Sequence, residues 1–142
     1  MSGDELSAQD VYDVWRIRDA VFAVEQQVDE EDVDGRDLLA STTHLWLRDG
    51  DGLTSYLRVY VGGDGLRHIG RVCTRKDQRG RGHSGRLMAE VTRLWGAGEL
   101  HLNAQAPLER WYMSFGYVRS GEDYLEAGIV HVPMKRLAEG RS

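Results

Sequence analysis

Cysteine and proline are nearly missing from this chain: Cys73, Pro107 and Pro133 are the only ones in 142 residues. A lone thiol excludes an intrachain disulfide and is compatible with a reducing compartment. Long apolar runs are missing too; none approaches the ~18 residues needed to span a bilayer. The start, Met1-Ser2-Gly3-Asp4-Glu5, is acidic and has no apolar signal core, so the expected location is cytoplasmic, with no membrane partner. Basic excess is absent: 18 Lys and Arg stand against 23 Asp and Glu, a net charge of −5. Nucleic-acid affinity is dominated by phosphate contacts and needs a basic face, so no nucleic-acid partner is expected. Metal spacing is missing as well. Cys73 and His44, His101 and His131 lack local zinc spacing. Glu30-x-Asp32-x-Asp34-Gly35 is half a calcium loop with Ser41 where the bidentate glutamate belongs.

What is present fits one globular domain over residues 1–142. The chain is 41% hydrophobic and 29% charged, and a chain this long buries roughly two-thirds of its unfolded surface around one core. Ser7-Ala8-Gln9-Asp10 has capping-box character and precedes Val11, Val14, Trp15, Ile17, Val21 and Val24, which predicts a helix from about Ala8 to Val24. An irregular acidic segment follows to about Thr43. Strands are expected near His44–Arg48, Leu53–Val61 and Leu66–Cys73, joined by the hairpin turns Asp49-Gly50-Asp51-Gly52 and Gly62-Gly63-Asp64-Gly65. Leu87, Met88, Val91, Leu94 and Trp95 mark one face of a second helix, which ends at Gly96-Ala97-Gly98. A strand over Glu99–Ala104, a short helix from Pro107 carrying Tyr112, and a final hairpin of Tyr117–Leu125 with Ile129–Arg136 complete the chain. That order implies an α/β fold of the mixed α+β kind, a mixed and mostly antiparallel sheet with helices on both faces.

The stretch Val72-Cys73-Thr74-Arg75-Lys76-Asp77-Gln78-Arg79-Gly80-Arg81-Gly82-His83-Ser84-Gly85 carries the chemistry. A strand leads into a glycine- and arginine-rich loop that opens the second helix. Unpartnered N–H groups and the macrodipole at a helix N-terminus favour an anion, and Arg79 and Arg81 add charge. Two or three charge-assisted bonds of roughly 1.5–3 kcal/mol each can hold a diphosphate without a metal. Gly80-x-Gly82-x-x-Gly85 matches a dinucleotide fingerprint literally, but no βαβ unit surrounds it and only Glu99 lies about twenty residues on.

Arg79-x-x-Gly82-x-Ser84 resembles the acyl-CoA pyrophosphate loop of the Gcn5-related N-acetyltransferases (GNAT), with Ser84 departing from the usual Gly or Ala. Gln105-Ala106-Pro107-Leu108-Glu109-Arg110-Trp111-Tyr112-Met113-Ser114-Phe115-Gly116-Tyr117 is similar to the family's late strand-to-helix segment. Val21-Phe22-Ala23-Val24-Glu25-Gln26, Asp32-Val33-Asp34-Gly35, Gly70-Arg71-Val72, Ala104-Gln105-Ala106 and Gly128-Ile129-Val130-His131 point to the ElaA-like branch. The family opens with a strand, whereas only Met1 to Leu6 precede the first helix here; that strand is expected to be lost or vestigial.

The resemblance implies an acetyl-CoA-dependent N-acetyltransferase that moves an acetyl group from the CoA thioester to a primary amine by direct attack. It implies main-chain contacts from Val72, Cys73 and Thr74 to the pantetheine arm, and pyrophosphate contacts from Arg79, Gly80, Arg81, Gly82, His83, Ser84 and Gly85. It puts Gln105 where the family often has Asn, its amide serving either the pantetheine amide or the 3′-side contacts, and it places Tyr112 near the sulfur. A tyrosine suits that place because its pKa near 10 keeps it protonated for a departing thiolate of pKa about 8.5. No carboxylate stands on the central strands, so the base that deprotonates the amine is left among Glu25, His44, His68, His101, His131 and water. Glu25 has a second reading, as an ion-pair partner of Arg71. The acidic run from Asp29 to Asp37 is either solvated surface or a rim for a cationic acceptor. A binding or interaction module of the same fold without turnover is the alternative function. A homodimer is compatible with the terminal hairpin at a sheet edge.

Overall fold

Ser7 begins the first helix as the sequence predicts: its side chain accepts from Asp10 N–H at 3.0 Å, and Asp10 accepts in return from Ser7 N–H. The structure, a computed structural model, describes residues 1–139; positions 140–142 of the expected domain lie outside the described residues. Helix α1 spans Ala8–Arg18 and continues without a break into a π-helical run, Asp19–Glu25, closed by Gln26 N–H donating to Val21 O at 3.0 Å. Such wide turns are frequent at functional sites.

Seven strands follow among the described residues: β1 (Thr43–Asp49), β2 (Gly52–Val61), β3 (Arg67–Thr74), β4 (Leu100–Gln105), β5 (Val118–Arg119), β6 (Tyr124–Glu126) and β7 (Ile129–Arg136). Helix α2 (His83–Trp95) lies between β3 and β4, and α3 (Glu109–Met113) follows β4. The sheet order is β1-β2-β3-β4-β7-β5, with β6 also on β7, and every neighbouring pair is antiparallel except β3 with β4. Alternation along the strands builds a core on each face. Leu57, Val59 and Ile69 pack with Leu87, Met88 and Val91 of α2. Tyr56 and Cys73 pack with Val14 and Ile17 of α1 and with Val21. Leu94, expected on the buried face of α2, is instead 42% exposed, and Trp95 packs in its place.

Met1–Leu6 contributes a single bridge to the sheet, Ser2 with Thr43. Gly3 turns inward directly after it, where a Cβ would lie 2.3 Å from the Asp37 carbonyl. The final hairpin differs from expectation. Tyr117–Leu125 is broken into β5 and β6, because Pro133 of β7 has no N–H to continue the ladder; Ser120 N–H donates to the Pro133 carbonyl and the chain loops out. Among the described residues no helix is long and apolar enough to cross a membrane.

Candidate active site

Strands β3 and β4 stay paired only at Arg67 with Leu100, His68 with His101 and Ile69 with Leu102. Beyond Ile69 they part, and β3 bulges there. Its register against β2 jumps so that Arg71 and Val72 oppose Leu57 alone, and Arg71 takes a left-handed φ of 54°. A bulge of this kind leaves a residue out of the ladder and bends the strand. Val72 lines the opening. The Cys73 side chain points away into the α1 core, where burial pushes its thiol up to about 12, far from nucleophilic. Thr74 closes the strand with its hydroxyl 2.5 Å from Ser84 Oγ and 3.0 Å from Ser55 Oγ. Ser55 and Ser84 lie 3.1 Å apart, and Ser55 also donates to the Cys73 carbonyl. Ser84 therefore has a structural reason for its departure from Gly or Ala: three hydroxyls bind β2, β3 and the first turn of α2 together.

The loop from Arg79 to Gly85 follows. Gly80 and Gly82 are left-handed, with φ of 78° and 77°, and a Cβ on either would meet nothing within 4 Å. Backbone conformation, not crowding, selects glycine there. Gly82 caps α2, and the first intrahelical donor is Arg86 N–H, to Gly82 O at 3.1 Å. The N–H groups of His83, Ser84 and Gly85 are thus left pointing out of the helix end, with no acidic side chain in that turn. Arg81 is exposed, and His83 Nε2 lies 3.4 Å from Gln78 Oε1. Arg79 does not extend over the loop. It donates to Thr74 O at 3.2 Å and ion-pairs with Glu25.

Across the gap, β4 ends at Gln105, whose Nε2 donates to Gln26 Oε1 at 3.0 Å just past the π-helical run. Tyr112 on α3 is 5% exposed and is wedged edge-on between Trp111 and Tyr117, with ring centroids 4.8 and 6.4 Å away. Burial drives its phenol well above the usual range, so it holds its proton throughout the neutral region. Its ring, with Val72, Phe22, Gln26, His68 and His131, lines a cavity of about 840 Å³.

The acidic segment is neither free rim nor idle surface over its second half. Asp32 accepts from Arg18 at 2.8 Å and from Arg71 at 2.9 Å. Asp37 accepts from Arg18 at 2.6 Å and from Arg58 at 3.0 Å. Asp34 pairs with Arg58 and with Arg36, which also lies 4.3 Å over the Tyr60 ring. Burial alone would raise the Asp34 and Asp37 carboxyls; the guanidiniums of Arg58 and Arg18 outweigh it and hold both below the usual range. Arg71 therefore belongs to Asp32, and Glu25 to Arg79, not the two to each other. Nothing local signals these partners, which sit 14 to 39 positions apart for Asp32.

The base candidates separate clearly. His44 is buried with Nε2 2.8 Å from the Asp37 carbonyl and Nδ1 2.6 Å from the Tyr56 hydroxyl, so both nitrogens are spent. His101 faces Glu99 and is not on the cavity wall. His68 and His131 both are.

The chain as a whole is matched by known proteins. A family model described as an acetyltransferase (GNAT) domain matches residues 4–138. This chain belongs to the GNAT acetyltransferase family. It is similar to a UPF0039 protein of Mycobacterium tuberculosis, 42% identical over 96% of this chain and 90% of the relative. It is 36% identical to Escherichia coli ElaA over 93% of this chain and 90% of that protein. The crystal structure of ElaA superposes with a TM-score of 0.88, covering 96% of this chain and 95% of ElaA. An acyl-CoA N-acyltransferase from Pseudomonas aeruginosa superposes at 0.86 with 36% identity, covering 96% of each chain. The GNAT domain described here is accordingly an ElaA-like acyltransferase with the family's acyl-CoA N-acyltransferase fold.

Proposed function

We propose that this GNAT domain transfers an acetyl group from acetyl-CoA to a cationic primary amine by direct attack on the thioester. The observation that carries this reading is the junction of the β3 bulge, opening beside β4, with the left-handed glycine loop on the α2 N-terminus: one end suits an extended amide-bearing arm, the other a diphosphate. In this reading Val72, Cys73 and Thr74 hold the pantetheine arm through the main chain. Gly80, Gly82, His83, Ser84 and Gly85 offer backbone N–H groups to the pyrophosphate. Arg81 adds charge, and Arg79 fixes the loop from the side. Gln105 borders the arm from β4. The N–H of Val72 or Cys73 stabilises the oxyanion as the carbonyl becomes tetrahedral.

The C–N bond forms as the carbonyl pair moves to oxygen, the C–S bond breaks as that oxyanion collapses, and Tyr112, protonated and at the cavity wall, gives its proton to the leaving thiolate. With Cys73 buried and its thiol raised, no acyl-cysteine step is invoked. A positively charged acceptor is supported by Glu30 and Glu31, exposed on the cavity wall, while Asp32 and Asp34 are already neutralised by arginine. The test has two parts: calorimetric titration with acetyl-CoA, and thiol release with acetyl-CoA and cadaverine, tyramine or lysine amide. Tight binding with amine-dependent thiol release is expected. Binding without release from any amine would favour a non-catalytic acyl-CoA module.

A further inference from the structure

We propose that His131 is the general base that takes the proton from the attacking amine; this rests on the transfer reaction above and names the residue that reaction lacks. An alkylammonium of pKa about 10.4 is neutral in only about one molecule in 2,500 at pH 7, so attack needs a proton acceptor at the site. Imidazole is the side chain suited to that task near neutrality.

Three features fix the His131 ring for it. Its Nδ1 lies 2.8 Å from the Ile129 carbonyl, an acceptor only, so Nδ1 carries the proton and Nε2 keeps its lone pair. The ring stacks on Tyr124 of β6, centroids 5.8 Å apart and planes at 28°, which holds its orientation. Its place on β7 is opposite Gln105, the last residue of β4, level with the open end of the gap and on the same cavity wall as Tyr112 and Val72.

The rival on that wall is less well placed. His68 sits opposite His101, where β3 and β4 are still paired, and its Nε2 is turned to Asp64 at 3.0 Å. The charged and titratable groups lining the cavity with His131 are Glu126 of β6, Tyr112 of α3, Tyr60 and Arg58 of β2, His68 and Arg71 of β3, Tyr12, Arg16, Arg18 and Asp19 at the first helix, and Glu30, Glu31, Asp32, Asp34 and Arg36 of the acidic segment; Asp32 and Asp34 are paired with arginine, and the Tyr124 ring is the direct neighbour of His131. The balance is simple. His131 Nε2 takes one proton from the bound ammonium and passes it to solvent, the freed amine attacks to give the tetrahedral oxyanion, and Nε2 takes the second proton from the nitrogen of the new C–N bond; Tyr112 protonates the sulfur as the oxyanion collapses and the C–S bond breaks. His131 then returns its proton to solvent, and Tyr112 is reprotonated from solvent.

Long-range ¹⁵N NMR of histidine in the whole protein should show His131 as the Nδ1–H tautomer when neutral; an Nε2–H tautomer would overturn the assignment. In thiol release with acetyl-CoA and cadaverine, His131→Gln should lower kcat by about a hundredfold or more, leave the acetyl-CoA Kd within about twofold, and abolish the acid limb of kcat/KM against pH. Imidazole added to His131→Ala should restore turnover. His68→Gln should stay within about threefold of the parent. The proposal fails if His131→Gln keeps parental turnover and its acid limb, or if His68→Gln alone loses them. A parent protein that binds acetyl-CoA and releases no thiol with any amine refutes the transfer reading itself, which is a different result.

Discussion

Arg79 reaches across 54 positions to Glu25, so the loop proposed to hold the diphosphate is moored by a charge pair to the end of the π-helical run. Both side chains are partly solvated, 43% and 27% exposed, and a pair of that kind contributes at most about 1 kcal/mol to stability. Its value lies in where it puts the loop. Arg79→Met, which loses only that mooring, is therefore expected to weaken acetyl-CoA binding by no more than about tenfold. Gly82→Val, which forces a β-branched residue into a left-handed cap, should abolish binding while the far-ultraviolet spectrum stays native. Calorimetry on both variants checks this; the reverse order of effects would mean that Arg79 itself grips the phosphates.

Tyr112→Phe removes one hydroxyl and leaves the ring against Trp111 and Tyr117. If that hydroxyl protonates the thiolate, kcat should fall by roughly 10²–10⁴-fold, with acetyl-CoA affinity and melting temperature nearly unchanged. Full turnover in the variant, under conditions where chemistry limits the rate, would make Tyr112 a packing residue.

Asp37→Asn strips a carboxylate from between two buried arginines, Arg18 and Arg58. Breaking a buried pair by removing one partner costs about 3–5 kcal/mol. Thermal melts should show a drop of roughly 10 °C or more. Asp32→Asn should cost less, since Asp32 is 32% exposed and its main-chain carbonyl still accepts from Arg18 and Arg71.

Acid should destabilise the protein in two stages. Burial lowers the His44 pKa, so between its folded value and the unfolded value of about 6.5 the unfolded chain binds a proton that the folded one refuses. Stability from this group is complete above about pH 6.5 and is lost as pH falls below it. Asp34 and Asp37, held low by Arg58 and Arg18, add a second loss below about pH 4, where the unfolded carboxylates begin to bind protons. Melting temperature measured against pH should decline from about 6.5 downward in the parent. His44→Gln should flatten the upper stage only.

The helices, both early hairpins and the glycine loop were legible because each is written in neighbouring residues: a capping box, a 3.6-residue stripe, Asp-Gly and Gly-Gly turns. The acidic run was legible as charge but not as structure. Its partners Arg18, Arg58 and Arg71 come from α1, β2 and β3, and only the folded sheet brings them to Asp32, Asp34 and Asp37. The same holds for the Ser55–Thr74–Ser84 hydroxyls, drawn from three elements. Pro133 did carry a readable signal for the broken hairpin, a strand residue without a donor. The split between β5 and β6 follows from it. The histidines looked alike in sequence. What separates His44 from His131 is whether the second ring nitrogen is used, a property of geometry alone.

The seam between β3 and β4 has one more consequence. With only three residue pairs across it, the sheet is two half-sheets sharing a short hinge line, and the edges beyond Ile69 and Leu102 face each other unzipped. A guest that settles between them with its own amides serves as a surrogate strand, and folding and occupancy become one equilibrium. At a concentration a hundredfold above its dissociation constant such a guest adds about 2.7 kcal/mol to the stability of the host. The melting temperature of this protein would then rise with the concentration of any such guest.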